Sequence, residues 1–317
     1  MVFRALGPLV MVFAAGTLFA GEALQLDGHI QGDVHTHSLR VTLFGVEHPY
    51  AESTDVDRHA DFHFRNLPPG NYTVAVVRAG LGEVRRTVVV SAALADKSGV
   101  VRTAIPYSAA EAAGNPTGAT VSVRQVSVPG HASAKFADAQ RLLAGRDPDG
   151  AVHSLEEAVA IAPDFSAAWN ALGVIVFQNG EDARAEAFFR RSLEADPAAF
   201  EPLVNLGGEL LKNGSAADAL PFNRRAVRDR PEDALANAQL GMNYFKLDRL
   251  EEAEPYLLAA KRLDRAHFSQ PQLFLADIYA RRGNRSAAAR ELKELLELRP
   301  DGPLSASIRS NLAHLVQ

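Results

Sequence analysis

Residues 166–197 read SAAWNALGVIVFQNGEDARAEAFFRRSLEADP, two helix-like runs with no side chain placed like a nucleophile or a metal ligand. Its landmarks return along the chain. Pro163, Pro197 and Pro231 lie 34 residues apart, and Pro300 follows after one interval of 34 and one of 35. Ala151, Ala185, Ala219, Ala253 and Ala288 keep the same beat, which places the one extra residue in the loop DRAHFSQ, 264–270. A fixed period of this size predicts stacked helical hairpins. A second series, Gly173, Gly207 and Gly241, is preceded by Ala139 and continued by Ala276. Glycine inside a helix costs about 1 kcal/mol relative to alanine. Its return at one register therefore predicts a helix crossing too close for a side chain.

Trp169, Leu172, Gly173, Ala185, Phe189 and Pro197 have the spacing of the tetratricopeptide pattern, in which Trp, Leu-Gly and Tyr lie on the first helix of a hairpin and Ala, Phe and Pro on the second. Val176 stands where Tyr is usual. Leu240, Gly241, Tyr244, Ala253, Leu257 and Ala260 repeat the pattern, as do Leu275, Ala276, Tyr279, Ala288, Leu292 and Pro300. Residues 131–317 thus resemble a tetratricopeptide repeat array of about five repeats: 132–164, 165–199, 200–233, 234–268 and 269–301. The first is degenerate, with Lys135 and Asp138 at the Trp and Leu positions, and reads as an N-terminal cap. Leu304, Ile308, Leu312 and Leu315 make the apolar stripe of a closing helix.

The first half has a different period. From Leu24 to Val128, segments such as LRVTLFGV, DFHFR, YTVAVV, VRRTVVV and ATVSVRQV alternate or run apolar between Gly, Pro, Asn and Asp, which predicts about seven short strands and a sandwich. In DFHFRNLPPGNYTVAVV, Phe62, Phe64 and Leu67 precede a Pro68-Pro69-Gly70 turn, and Tyr72, Val74 and Val76 share a face of the next strand. With the LDGHIQG start, residues 24–106 resemble the carboxypeptidase regulatory-like family, a transthyretin-like β-sandwich commonly appended to secreted bacterial proteins, from which no catalytic residue carries over. The fold class expected is multidomain, an all-β sandwich followed by an all-α solenoid. Between them, 107–130 reads as a linker, IPYSAAEAAGNPTGAT being rich in Ala, Gly, Pro and Thr, with a final strand at 119–128.

Composition narrows the function. Thirty-three Lys and Arg against thirty-eight Asp and Glu, a net charge of -5 without long single-sign runs, do not make the basic footprint of a nucleic-acid binder. The chain has no cysteine, which removes disulfides, thiol catalysis and thiolate metal sites. Residues 1–23 have the layout of a secretory signal: one charge in MVFR, an apolar run from Ala5 to Ala20, and small residues in LFAGEA. Cleavage after Ala20 or Ala23 fits, and retention as an N-terminal anchor is the alternative. No second apolar run of that length follows, so no membrane span is expected after cleavage, and the location expected is periplasmic or extracellular.

The resemblance implies that each first helix lines a concave groove for a protein or peptide partner. At that register stand Asn170, Val174 and Phe177; Val204, Gly208, Leu211 and Lys212; Ala238, Met242, Phe245 and Lys246; and Leu273, Asp277 and Arg281. The Lys, Asn and Arg clamp with which some relatives grip chaperone C-termini is missing: Phe136, Gln140 and Ala171, or Asn170, Val174, Asn205, Leu235 and Gln239 one repeat later, lack its cations.

Enzymatic chemistry finds no framework. There is no Gly-rich phosphate loop, G-x-S-x-G elbow or H-E-x-x-H. Asp55, Asp57 and Asp61 lack the Gly and Glu of a calcium loop and read as a solvated loop. His29, His35, His37, His48, His59 and His63 cluster early but lack a ligand framework. The function expected is a non-enzymatic exported adaptor that needs no cofactor, with homo-oligomerisation left open. The alternative is carbohydrate or cell-envelope binding by the sandwich, for which Tyr50 and Tyr107 are the stacking candidates, with the helical array mediating oligomerisation.

Overall fold

The computed structural model describes residues 23–32, 39–114 and 128–316. The leader at 1–22, His35 and His37, and nearly all of the expected strand at 119–128 lie outside them.

Among the described residues, seven strands form the first half: β1 (Leu24–Gly32), β2 (Leu39–Gly45), β3 (Ala51–Asp55), β4 (Asp61–Leu67), β5 (Gly70–Arg78), β6 (Gly82–Val90) and β7 (Val100–Tyr107). They make two sheets, ordered β4-β1-β7 and β3-β2-β5-β6; β1 and β7 run parallel, the other pairs antiparallel. The inward residues of each alternating pattern meet in one core, with Leu26, Ile30, Phe62, Phe64 and Ile105 from one sheet against Val41, Leu43, Tyr72, Val74 and Val76 from the other. This is a sandwich. At the Pro68-Pro69-Gly70 turn, Asn66 takes a left-handed backbone with φ 56°. The Tyr72 hydroxyl crosses back to donate to the Pro68 carbonyl at 2.7 Å. Tyr72→Phe is expected to cost about 1 kcal/mol in urea unfolding, since it leaves that carbonyl without its donor; an unchanged midpoint would mean that water replaces the hydroxyl.

A short helix, α1 (Ala109–Gly114), occupies part of the stretch read as linker. It is tied to the sandwich, because the two terminal guanidinium nitrogens of Arg86 on β6 donate to the Glu111 carboxylate, at 2.7 and 2.8 Å.

The second half is a succession of antiparallel helix pairs: α2 (Gly130–Ala144) with α3 (Pro148–Ile161), α4 (Ser166–Gln178) with α5 (Asp182–Ala195), α6 (Phe200–Lys212) with α7 (Ala216–Asp229), α8 (Ala234–Lys246) with α9 (Leu250–Leu263), and α10 (Pro271–Arg281) with α11 (Arg285–Leu298). The closing helix α12 (Ser305–Val316) packs against α11. The periodic alanines 151, 185, 219, 253 and 288 are all fully buried. A methyl group on Gly173 would run into the Phe189 ring, one on Gly207 into the Asn223 amide, and one on Gly241 into Leu257. Each of these partners lies 16 residues on, so the recurring glycine is the crossing point within each hairpin. Asn223 is the polar exception among them. Fully buried, it donates to Asn243 Oδ1 at 2.9 Å, and Asn243 donates to the Ala216 carbonyl at 2.6 Å, while the Asn223 Oδ1 that faces Gly207 has no hydrogen-bond partner among the described residues.

Candidate helical groove

The residues at the groove register divide by depth. Val204, Leu211 and Met242 are only 2%, 1% and 5% exposed and Ala238 is fully buried; they pack between neighbouring helices beneath the surface. Asn170 is partly exposed and accepts a 2.9 Å hydrogen bond from Asn205 on the next first helix. Val174 and Phe177 are half-buried, and Lys212 lies 4.5 Å over the Phe177 ring while pairing with Asp182. Lys246 points to solvent.

Gly208 is half-buried, where a methyl group would run into the Gln239 amide. The other four come together. Phe245, Leu273, Asp277 and Arg281 line one pocket of about 180 Å3 between α8, α10 and α12. Its apolar wall is completed by Phe274, Leu292, Leu304 and Ile308, with Ser307 and Asn311 on the α12 side. Phe245 and Phe274 meet edge to face with centroids 5.2 Å apart. Arg281 lies 5.1 Å over the Phe245 ring and donates to both carboxylate oxygens of Asp277, at 3.0 and 3.1 Å, and to Asp248 at 3.0 Å. Hydrogen bonding to Asp277 first, and the charges of Asp277 and Asp248 with it, favour the charged guanidinium and hold Arg281 above its ordinary range against the opposing effect of burial. The site is thus an apolar cup whose rim charges are already neutralised. It suits a side chain without charge. The part played by α12 was not assigned from sequence, although the Leu304 and Ile308 stripe that marks the closing helix is the signal that carries it.

Glu209 was also missed. It lies on α6, fully buried, with one carboxylate oxygen accepting from Asn213 at 2.8 Å and the other without a partner. Burial pushes its carboxyl up to about 7, with Asp182 and Glu186 adding to the rise.

Tyr50 and Tyr107, the candidates for stacking on sugars, are buried in the sandwich and present no ring face to solvent. Among the described residues, no group of three or more His, Asp or Glu is placed to hold a metal ion. His29 and His63 donate instead across strands to Asp61 and Asp27, at 2.7 and 2.9 Å. Asp57 closes its own turn by accepting the amides of His59 and Asp61, and these bonds, that from Asp61 foremost, hold its carboxyl below the usual range. No described helix is long and apolar enough to cross a membrane.

The tetratricopeptide repeat family model matches residues 136–200 and 234–267. The human and mouse proteins named Cell division cycle protein 16 homolog are each 32% identical over 118 residues, covering 34% of this chain but 19% of theirs, so the match spans about a fifth of those relatives. Among solved structures, PilW, a type IV pilus biogenesis factor, superposes with a TM-score of 0.52 at 21% identity, over 59% of this chain and 87% of that one. MamA 41-end from Desulfovibrio magneticus RS-1 gives 0.49 at 24% identity, over 56% and 99%. The PilW likeness shows the fold alone. Within the helical half, set behind a β-sandwich, residues 136–200 and 234–267 thus match tetratricopeptide repeats.

Proposed function

We propose that the chain is a non-enzymatic, exported scaffold that holds a protein or peptide partner at the C-terminal end of its helical groove. The observation that carries this reading is the pocket between α8, α10 and α12, where four groove-register residues from two successive repeats converge on one apolar cup. Tetratricopeptide proteins are typically interaction scaffolds, and a groove built on folded helices loses little order when a segment docks. One buried Leu, Met or Phe anchor would contribute about 1.5 to 3 kcal/mol. Export rests on the signal-like layout of residues 1–23, and the accessory role of the sandwich on its likeness to carboxypeptidase regulatory-like modules.

Ser307 is exposed at the mouth of the cup, so Ser307→Phe should fill it without disturbing the core. Peptides carrying a single Leu, Met or Phe among polar residues are expected to bind the full chain, measured by fluorescence anisotropy, and to lose binding to this variant while its melting temperature stays unchanged. Binding that survives Ser307→Phe, or that charged-anchor peptides match, would refute the pocket as the site.

A further inference from the structure

In a stack of helical hairpins each repeat touches only its neighbours, so the two ends are connected by nothing but the interfaces between them. The sandwich adds ties that skip repeats. At the N-terminal end, Gln178, at the close of α4, donates to the carbonyls of Gly45 and Val46 at 3.0 and 3.2 Å. Arg146, in the turn between α2 and α3, donates to the Asn66 carbonyl and lies 5.7 Å from the centre of the Tyr50 ring. At the C-terminal end, Asp264, just after α9, accepts the amide of Thr87 at 2.8 Å, and Asp301 accepts that of Ala93 at 3.4 Å. Arg299, just after α11, donates to the Asn71 side chain.

Gly45, Asn71 and Thr87 lie on β2, β5 and β6, neighbours in one hydrogen-bonded sheet. A single stiff element is therefore gripped from both ends of the array. The array-side groups are also costly to leave alone. Asp264 and Arg299 are buried, and a buried charge needs its partners. The sandwich gains as well, because Thr87 lies on the edge strand β6, where an unpaired amide invites pairing with another chain.

We infer that the sandwich is a brace: by tying the first two repeats to the last two, it fixes the curvature of the array and makes its ends open together. The brace acts whether or not the pocket beside α12 holds a partner.

The absence of cysteine allows clean spin labelling at two exposed positions, Asp149→Cys on α3 and Glu297→Cys on α11, in the full chain. Electron–electron distance measurements should give one narrow distribution. Adding Asp264→Ala and Gln178→Ala, which removes one tie at each end, should broaden it and add an earlier transition to urea unfolding. An unchanged width with an unchanged single transition would overturn the brace. Hydrogen exchange on the unmodified chain is an independent check should that variant misfold. The Thr87 amide is expected to lose protection at the same urea concentration as the α10 and α11 amides, and free exchange at Thr87 under native conditions would also overturn the inference.

Discussion

Replacing Phe189 with alanine should destabilise the array by about 3 to 5 kcal/mol, the usual range for deleting a fully buried aromatic ring. Gly173→Ala should cost about 1 to 3 kcal/mol by itself, because its methyl group enters the space of that ring. The informative variant is the pair. With the ring gone, the new methyl group points into the vacated volume, so the double substitution should be less destabilising than the sum of the singles by at least about 1 kcal/mol. Urea unfolding of the four proteins, followed by helical circular dichroism, measures the coupling. Strict additivity would mean that Gly173 is not kept small by Phe189, and the account of the glycine beat would fail with it.

The second large effect is set by pH. Glu209 has its carboxyl raised from 4.5 to about 7, chiefly by burial. The folded state thus holds a proton that the unfolded chain releases, and the sign follows from linkage: the contribution is fully present below pH 4.5, falls as pH rises, and is lost once pH passes about 7. Two and a half units correspond to about 3 kcal/mol. Glu209→Gln keeps an oxygen for the Asn213 amide and removes the titration. The variant should match the parent near pH 4.5 and exceed its stability by up to about 3 kcal/mol near pH 8. Stability curves that run parallel between those limits would show that Glu209 is ionised in the folded array.

The repeating half was legible because its constraints are local. A hairpin must cross itself at a fixed height, so the same small residue returns every 34 positions, and Ala185, Ala219 and Ala253 could be placed in the core by counting. The alternation in DFHFRNLPPGNYTVAVV marked Phe62, Phe64, Tyr72, Val74 and Val76 as inward for the same reason: side chains on a strand change face at each residue. The groove was less legible. Its register is also set by helical period, but depth depends on how far each helix is covered by the next, and that sent Val204, Leu211 and Met242 into the core while leaving Phe245 and Leu273 at the pocket.

Period and spacing, which act within a few dozen residues, determined by themselves that this chain is a sandwich followed by stacked hairpins. Tertiary structure alone decided the cup completed by α12, the buried carboxyl of Glu209 and the seating of the sandwich across the array. Those features arise between residues as far apart as Asn71 and Arg299, whose meeting is fixed by the accumulated curvature of every intervening repeat and leaves no periodic trace in the sequence.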